Sequence, residues 1–366
     1  MKTVSAALLL LAAAPAVPAH ADIVIGVVAP LSGQYQSFGQ QMLGGVKAAV
    51  DAINAKGVFG NEQLSIASAD DQCDSAKAEE VARKLIAAHA DVGIGSFCSN
   101  PSLAEARVFE RAGVTLISPS ATLPAFTESG LSNVIRIPSR IDAQGAFAAR
   151  RILARRPNAK LALVDDGTAQ MKAIVQSFTG ALGKPASLSF SFTPGQKDFL
   201  ELVAKLKAAE IDTIYLAASA PDAGRITAAA KSAGLDLKRY GPDSLLADPF
   251  WEASGPAGEA TLVSFPADPI NTSNAKNLSD NLKALGEASE GPALPAYAAV
   301  ELYAAAAVNA GPHAGLGLAQ ALKSGSAVET SLGRFIFDAK GDGQDLRFSW
   351  FSWNNGTYQT IAAESQ

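Results

Sequence analysis

The stretch IVIGVVAPLSG at residues 23–33 decides the fold of this 366-residue chain. Its first six residues form an unbroken apolar run, which is typical of a strand covered on both faces, and its last four form a turn. A helix is predicted over Gln41–Ala55, and Gly57 follows it as the C-terminal cap. A strand, a turn and a helix in this order are the unit of an α/β protein with a parallel sheet.

The same unit recurs along the chain, and it starts again after about residue 140. Further strands are predicted before that point at Leu64–Ala69, Val92–Gly95, Val114–Ile117 and Val134–Ile137. Strands are predicted after it at Leu161–Val164, Leu188–Phe192, Thr213–Ala217, Arg239–Gly241 and Thr261–Ser264. Helical spacing lies between them at Ala76–Ala88, Pro101–Ala112, Gln170–Leu182, Asp198–Ala209 and Gly224–Ala233. The predicted fold class is therefore α/β, with two doubly wound parallel-sheet lobes that face each other.

The C-terminal part of the chain has a different pattern. The glycine-containing segments Lys340–Gly343 and Asn354–Gly356 predict hairpin turns, and Arg347–Trp353 lies between them. We therefore expect an antiparallel strand pair at the edge of one sheet.

The composition restricts the possible functions. The chain is 48% hydrophobic and 18% charged, which excludes long-range disorder, and its length suits two lobes with separate cores. The net charge of -5 argues against a nucleic-acid partner, because no excess of cations is available to neutralise phosphates. The 2 cysteines and 3 histidines argue against a thiolate or histidine-rich metal site. We therefore expect no metal and no cofactor.

Residues 1–21 have the pattern of a secretory signal peptide. Lys2 supplies a positive start, Val4–Ala14 is almost wholly apolar, and Ala19 and Ala21 are small residues at the positions that a signal peptidase reads. The apolar run is shorter than the ~20 residues of a membrane-spanning helix. We predict secretion with cleavage after Ala21; a buried N-terminal helix is the alternative.

Secretion gives the two cysteines a meaning. In an oxidising compartment, Cys73 and Cys98 predict one disulfide, which stabilises the fold by about 3 kcal/mol in the chain-entropy model. The alternative is a free reactive thiol, which needs an activating neighbour. The charged residues near Cys73 are mostly acidic and raise a thiol pKa, so the disulfide is favoured.

Catalytic machinery is scarce in this sequence. It contains no G-x-S-x-G elbow, no phosphate-binding lysine loop and no H-E-x-x-H motif. His89 and His313 have no recognisable nucleophile near them, and we interpret both as ordinary surface or helix residues. The adjacent carboxylates Asp70-Asp71 and Asp165-Asp166 point to opposite faces of a strand, so neither predicts a catalytic pair. We therefore predict that the protein is not an enzyme.

Polar residues follow two consecutive strands, at the edge where parallel sheets bind ligands. Ser99 lies beside Pro101 at the start of a predicted helix, where free N–H groups and the helix dipole attract a carboxylate. The alternative is that Ser99 caps its own helix. The loop Ser118–Thr122 supplies hydroxyls and exposed amides after the next strand. Together the two loops predict a pocket for a small anion.

At these residues the sequence resembles the periplasmic binding proteins for branched-chain amino acids. Motifs that carry the resemblance in the first half are Val27–Gly33 with Gly39 and Gly44, Asp70–Asp74, Gly95-x-x-Cys98-Ser99 and Ser118–Thr122. Motifs in the second half are Lys197–Phe199, Ile211-Asp212, Lys231–Leu235 and Phe337-Asp338-x-Lys340-Gly341-Asp342. The resemblance implies the type I fold of two lobes, no enzymatic activity, and delivery of a solute to a membrane permease driven by an ATPase.

The resemblance also implies roles for the first-lobe residues. Ser99 and Thr122 would hold the α-carboxylate of the ligand, and the Ser120 carbonyl and Thr122 would receive its α-ammonium group. Ala121 belongs to the same loop. Phe38 lies where an aromatic residue often closes over the side-chain pocket; a position in the core of its own helix is the alternative.

The second lobe both follows and departs from the family pattern. Asp243 lies where the family has an acidic residue that pairs with the ammonium group, and a solvated turn aspartate is the alternative. Gln170 and Ser219 lie where branched-chain binders tend to have tyrosines, so the pocket is less apolar. Asp165 and Asp166 lie near the same rim and favour a cationic or amine-bearing ligand.

These inferences combine into one expectation. The first lobe would comprise residues 22–140 and 267–346, and the second lobe residues 141–266 and 347–366. They would close about three crossing strands near residues 140, 266 and 346, around an amino acid or a similar zwitterion. We expect a periplasmic monomer that works with an inner-membrane permease. A ligand sensor of the same fold, or a binder of a polar amide or of an aromatic or other small carboxylate, is the alternative.

Overall fold

The computed structural model describes residues 22–266, 272–344 and 348–361. The first sheet has five strands: β1 (Ile23–Ala29), β2 (Leu64–Asp70), β3 (Val92–Ile94), β4 (Thr115–Ser118) and β5 (Val134–Arg136). They are parallel in the order β2-β1-β3-β4-β5. The helices between them are α1 (Gln36–Ala55), α2 (Ala78–Ala87), α3 (Ser99–Arg111) and α4 (Ala125–Glu128).

The chain then enters a second sheet. Its helices are α5 (Ala143–Arg155), α6 (Ala169–Leu182), α7 (Leu200–Ala208), α8 (Ala220–Ser232) and α9 (Asp248–Ser254). Its parallel strands are β6 (Leu161–Asp165), β7 (Leu188–Ser191), β8 (Thr213–Ala217), β9 (Lys238–Gly241) and β10 (Leu262–Pro266). Short 3-10 helices at Asp243–Leu246 and Gly255–Gly258 flank α9.

After β10 the chain returns to the first sheet and then goes back to the second. The returning elements are α10 (Ser273–Ala284), α11 (Ala293–Ala310), α12 (Leu316–Leu322) and a small hairpin of β11 (Val328–Thr330) and β12 (Gly333–Phe335). The last strands, β13 (Phe348–Asn354) and β14 (Thr357–Ile361), are antiparallel and complete the second sheet in the order β14-β13-β10-β9-β8-β6-β7. We call the first sheet with α1–α4 and α10–α12 the first lobe, and the second sheet with α5–α9 the second lobe.

Each lobe has its own core. In the first lobe, α11 packs on α1 and on β3, and the interior strand β1 is almost wholly buried. In the second lobe, clusters of buried side chains lie on both faces of the sheet. The predicted fold class, two parallel-sheet α/β lobes, is therefore confirmed.

The helix boundaries show where the sequence pattern is weak. Helix α1 begins at Gln36, five residues before the predicted start at Gln41. The prediction missed its first turn, because that turn is polar and carries little apolar periodicity. Gly39 makes this early start possible, since a Cβ atom there would lie 2.0 Å from the Pro30 carbonyl oxygen. The sequence pattern does not predict helix α11, because this helix is buried on most sides and so lacks an amphipathic pattern.

Several predictions fall wholly or partly outside the described residues. They are the signal peptide at 1–21, the crossing at residue 346, the first residue of the predicted strand Arg347–Trp353, and the segment that follows the crossing at 266. The turn at Lys340–Gly343 is present, because Phe337 and Gly343 pair across it. In the part of the chain that the structure describes, no helix combines the length and the apolar character that a membrane span requires.

Candidate functional site

Ser99 and Thr122 lie in contact at the carboxyl edge of the first sheet. Ser99 is the first residue of α3, and its Oγ accepts a hydrogen bond from the backbone N–H of Thr122 at 3.0 Å. The cap position belongs to Cys98, which makes no side-chain cap hydrogen bond. The prediction that Ser99 lies near the cap is therefore confirmed to within one residue, whereas the alternative that its side chain caps its own helix is wrong. Its hydroxyl joins the loops that follow β3 and β4.

The loop at 118–122 is organised by the buried Ser118. Its Oγ accepts hydrogen bonds from the N–H groups of Ala121 at 2.9 Å and Ser120 at 3.4 Å. Ser120 and Thr122 remain partly exposed, whereas Ala121 is fully buried and its carbonyl accepts a hydrogen bond from Arg136 at 3.4 Å. The open polar groups of this loop therefore belong to Ser120 and Thr122, and Ala121 contributes through its backbone.

The buried side chain of Arg136 donates hydrogen bonds to backbone carbonyls in and next to the Ser118–Thr122 loop. Besides Ala121, Arg136 donates to the Leu123 carbonyl at 2.6 Å and forms an ion pair with Asp342 at 2.6 Å. Asp342 also accepts hydrogen bonds from Thr127 Oγ1 at 2.9 Å and from Arg140 at 3.3 Å. Arg136 thus connects the Ser118–Thr122 loop to the segments through which the chain passes between the lobes.

The predicted disulfide is confirmed. Cys73 and Cys98 are bonded, with their Cα atoms 5.4 Å apart. Because Cys98 is the residue before α3, the bond ties the loop after β2 to the start of the helix that carries Ser99. At the end of β2, the carboxylate of Asp70 accepts a hydrogen bond from Leu31 N at 2.8 Å, so three strand-end loops are held together.

Aromatic rings lie beside these loops. Phe38 is 42% exposed and stacks on Phe97, with ring centroids 5.0 Å apart and an angle of 8° between the planes. The ring of Tyr35 also lies near Phe97, with the two ring centroids 6.0 Å apart. The alternative that Phe38 is a core residue of its helix is wrong. Phe97 was not among the predicted site residues, although its position directly before Cys98 at the end of β3 is a signal that marks it.

In the second lobe, Asp243 follows β9 at the carboxyl edge of the sheet. Its backbone N–H donates to Gln144 Oε1 at 3.0 Å, and its Oδ1 accepts from Ser244 N at 3.0 Å. Burial raises the pKa of Asp243, and hydrogen bonding to Gln144 opposes that rise. No lysine or arginine of the described residues forms an ion pair with it. Asp243 is therefore a partly buried acid that lacks a cationic partner within the part of the chain that the structure describes.

Ser219 and Gln170 occupy different environments. Ser219 caps α8: its Oγ accepts from Asp222 N at 3.4 Å and donates to Asp222 Oδ2 at 2.9 Å. Gln170 is the second residue of α6 and is exposed. The structure therefore leaves the amide of Gln170 open to solvent, whereas the hydroxyl of Ser219 is engaged in its own helix cap.

Asp165 and Asp166 are buried and engaged within their own lobe. Asp165 accepts hydrogen bonds from Gly167 N at 2.9 Å and from Ser191 Oγ at 2.7 Å. Asp166 accepts from Thr168 Oγ1 at 2.6 Å and from Ser219 N at 3.2 Å. The expectation that these carboxylates favour an amine-bearing ligand stays a prediction; in this structure their oxygen atoms hold the loops after β6 and β8.

A pair of buried acids lies beneath the first-lobe loops, and sequence reasoning missed it. Glu105 of α3 and Asp71 after β2 are both fully buried, and each has one carboxylate oxygen without a hydrogen-bond partner among the described residues. Glu105 accepts a hydrogen bond from Ser96, while burial raises its pKa to about 8. Burial also raises the pKa of Asp71. A glutamate within an amphipathic helix has the pattern of a surface residue, so no sequence signal marks Glu105 as buried.

The histidines lie away from this region. His313 contacts Asp91 through Nδ1 at 2.6 Å and Glu62 through Nε2 at 3.3 Å, near the amino ends of β3 and β2. The hydrogen bond to Asp91 is the largest cause that raises the His313 pKa. Across residues 22–266, 272–344 and 348–361, no group of three or more His, Cys, Asp or Glu side chains is arranged to hold a metal ion.

The fold and this arrangement of strand-end loops define the class. Two parallel-sheet lobes, with hydroxyls and amides at the strand ends of one and an acid at the strand ends of the other, are the architecture of a type I periplasmic binding protein. Residues 22–352 match the family described as periplasmic binding protein. The chain therefore belongs to the periplasmic binding protein family, as its resemblance indicated.

Two relatives are similar to this chain in sequence, and a solved structure is similar to it in fold. The chain is 31% identical over 369 residues to the "Leu/Ile/Val-binding protein BraC3" of Rhizobium johnstonii, with 100% of both chains covered. It is 33% identical over 339 residues to "Leu/Ile/Val-binding protein homolog 2" of Brucella abortus, covering 92% of this chain and 91% of that one. An ABC transporter substrate-binding protein of Desulfitobacterium hafniense in complex with Leu is similar with a TM-score of 0.73 and 23% identity, over 93% of this chain and 100% of that one.

Proposed function

We propose that this protein is the periplasmic solute-binding component of an ABC uptake system and binds an amino acid or a related small zwitterion between its lobes. The observation that carries the proposal is the chemistry of the two strand-end edges. One edge presents the contacting pair Ser99 and Thr122 at the start of α3, and the other presents Asp243 without a cationic partner among the described residues. The names of relatives that are 31% and 33% identical support the same substrate class.

Each end of a zwitterion has a complementary group. The start of α3 favours a carboxylate, because its first N–H groups lack a side-chain cap and the helix dipole is positive there. The partly exposed hydroxyls of Ser99 and Thr122 lie at the same place. An ammonium group is the partner that satisfies a partly buried carboxylate such as Asp243. Phe38 and Phe97 would contact the side chain of the ligand.

Closure of the lobes would couple binding to transport. We propose that residues 22–140 and 267–346 move against residues 141–266 and 347–366 about crossings near residues 140, 266 and 346. A ligand that contacts both lobes only in the closed form shifts the population toward that form. The closed form is then what the inner-membrane permease recognises. The same proposal includes cleavage after Ala21, a monomeric state and no catalytic activity.

The second-lobe residues argue against a pocket as apolar as that of a leucine binder. Gln170 is exposed and polar, and Ser219 is small. Fully burying a leucine-sized side chain is worth about 1.5–3 kcal/mol, and fewer apolar contacts reduce that gain. We therefore propose the broad class of amino acids and similar zwitterions as ligands, with polar members included.

Two measurements test this function together. Native mass spectrometry of the freshly purified protein is expected to show a bound small molecule with an amine and a carboxylate. A thermal-shift panel of the free amino acids is expected to raise the melting temperature for at least one member, since a ligand of the folded state stabilises it by mass action. A shift with small carboxylates or amides and none with any amino acid would reassign the ligand class.

A further inference from the structure

Gln144 is a buried side chain that connects three separate parts of the second lobe. It is the second residue of α5, which is the first helix after the chain leaves the first sheet, and it is fully buried. The next residue, Gly145, packs directly on α6, where a Cβ atom would lie 2.0 Å from the Ile174 carbonyl oxygen. The close approach of α5 to α6 therefore fixes the helix that carries Gln144.

The amide oxygen of Gln144 holds two elements at once. Oε1 accepts the backbone N–H of Asp243 at 3.0 Å and the hydroxyl of Ser264 at 3.2 Å. Ser264 belongs to β10, two residues before the strand ends and the chain leaves the second sheet. The same hydroxyl lies 3.4 Å from the Gly241 carbonyl, at the end of the strand that precedes Asp243. One oxygen atom thus connects the Asp243 turn to two of the three segments that join the lobes, the start of α5 and the end of β10.

The nitrogen of the same amide is left without a partner. Gln144 Nε2 is buried and makes no hydrogen bond among the described residues, whereas the oxygen beside it is engaged by the Asp243 N–H and the Ser264 hydroxyl. A buried amide N–H group without a hydrogen-bond partner destabilises the folded protein. The presence of such a group at this position therefore calls for a functional explanation. An amine held by Asp243 would bring the carboxylate and this donor into one ordered network.

We propose that Gln144 is a positioning residue that fixes Asp243 for an amine-bearing ligand and links that acid to the segments that join the lobes. The inference rests on the proposed function, because it assigns Gln144 to the same site. It adds a residue that does not contact the ligand and that acts through Asp243. Loss of Gln144 should therefore change selectivity for the amine, and not only the stability of the fold.

The test compares Gln144→Met, which keeps the length of the side chain and removes both hydrogen-bonding groups, with Gln176→Met on the exposed face of α6. Hydrogen exchange of the ligand-free protein is measured on peptides that cover residues 240–247. We expect faster exchange at the Asp243 turn in Gln144→Met and wild-type exchange in Gln176→Met. Unchanged exchange at that turn in Gln144→Met overturns the inference.

Calorimetry gives the functional readout, with L-leucine as the probe because the relatives are named for it, and with 4-methylpentanoate, the same compound without its amine. If another amino acid gives a larger thermal shift, that amino acid and its own deaminated analogue replace this pair here and below. Gln144→Met should weaken the binding of L-leucine about tenfold while changing that of 4-methylpentanoate less than about threefold. Equal losses for both compounds overturn the positioning role. If the wild-type protein binds neither L-leucine nor any other amino acid, the proposed function fails. The hydrogen-exchange experiment uses the ligand-free protein, so it still tests whether Gln144 holds the Asp243 turn.

A second variant guards against a failure of Gln144→Met to fold. Ser264→Ala removes the hydroxyl that donates to the same oxygen and leaves Gln144 in place. It should produce a smaller loss in the same direction for L-leucine and leave 4-methylpentanoate unaffected. Wild-type selectivity in Ser264→Ala would show that β10 is not coupled to the acid, which overturns the proposed link to the segments that join the lobes.

Discussion

The first lobe holds Ser99 and Thr122 by a disulfide, by a direct hydrogen bond and by Arg136 beneath their loop. The second lobe holds its acid differently. Asp243 is at the start of a short 3-10 helix, and its backbone is fixed by the amide of Gln144, next to the segments that join the lobes. The first lobe thus presents a preformed polar edge, which we propose as the seat of the carboxylate, whereas the position of the charge in the second lobe depends on the lobe connections. On this proposal, the first lobe would capture the ligand and the second would respond to it.

The largest expected effect concerns Glu105, the buried acid beneath the first-lobe seat. Its pKa is about 8 in the folded protein, whereas an unperturbed glutamate has a pKa of 4.5, so the folded state retains a proton that the unfolded state releases. The free energy of unfolding should therefore fall as the pH rises from about 4.5 to about 8, by on the order of 5 kcal/mol, and then become level. Glu105→Gln should remove the part of this dependence that Glu105 contributes and leave the smaller part that belongs to Asp71, whose pKa burial also raises.

Urea denaturation at several pH values, followed by far-UV circular dichroism, measures this slope. Tryptophan fluorescence is unsuitable, because Trp251, Trp350 and Trp353 all lie in the second lobe. The exposed Glu80→Gln on α2 is the matched control and should keep the wild-type slope. A Glu105→Gln variant with the same slope as the wild type would show that this acid is already ionised in the fold.

The disulfide gives the next largest expected effect on the free energy of unfolding. It tests the first lobe alone, because both cysteines belong to that lobe. The double variant Cys73→Ala/Cys98→Ala should lose about 3 kcal/mol of unfolding free energy, because the 25-residue separation no longer restricts the unfolded chain. It should also weaken carboxylate binding, since Cys98 is the residue before Ser99. Chemical denaturation of oxidised and variant protein checks the first point. Calorimetry with 4-methylpentanoate checks the second, and full affinity in the variant would show that the seat forms without the bond.

Asp243 gives the sharpest contrast between the two lobes. Asp243→Asn should weaken the binding of an amine-bearing ligand about a hundredfold, because it removes a charge from a partly buried ammonium pair. The binding of the deaminated analogue should change little. Calorimetry with L-leucine and 4-methylpentanoate gives both values, and Asp248→Asn, five residues later at the start of α9, is the control. Equal losses for the two compounds would place the amine elsewhere.

The elements that could be predicted from sequence are those with a strong local pattern. The strand Ile23–Val28 and its neighbours carry continuous apolar runs, and the cysteine pair is decisive once secretion is assumed. Helix α11 has no polar face and therefore no period to detect. The position of Ser99 relative to Thr122 depends on how two loops from different strands meet, and no local pattern encodes that distance.

Buried polar side chains are the part that sequence reasoning could not reach. Glu105, Arg136 and Gln144 have the composition of a helix surface or a strand end, yet all three are fully buried in the fold. Their burial results from packing between elements far apart in the chain, as the pairing of Arg136 with Asp342 shows. Asp165 and Asp166 are a similar case, because the sequence places them near the ligand rim, whereas the fold uses their oxygen atoms to hold two loops.

The smallest expected effect tests the carboxylate seat itself. Ser99→Ala removes the oxygen that accepts the Thr122 N–H at 3.0 Å, together with a hydroxyl at the start of α3. Because this residue acts at the carboxylate end, L-leucine and 4-methylpentanoate should lose affinity equally, each by about fivefold to tenfold. The matched control is Ser102→Ala, one turn further along α3, which removes a hydroxyl that donates to the Cys98 carbonyl. Its loss of affinity for each of the two compounds should be smaller than that of Ser99→Ala. A loss confined to L-leucine would mean that Ser99 meets the amine, and the assignment of the two ligand ends to the two lobes would then have to be reversed.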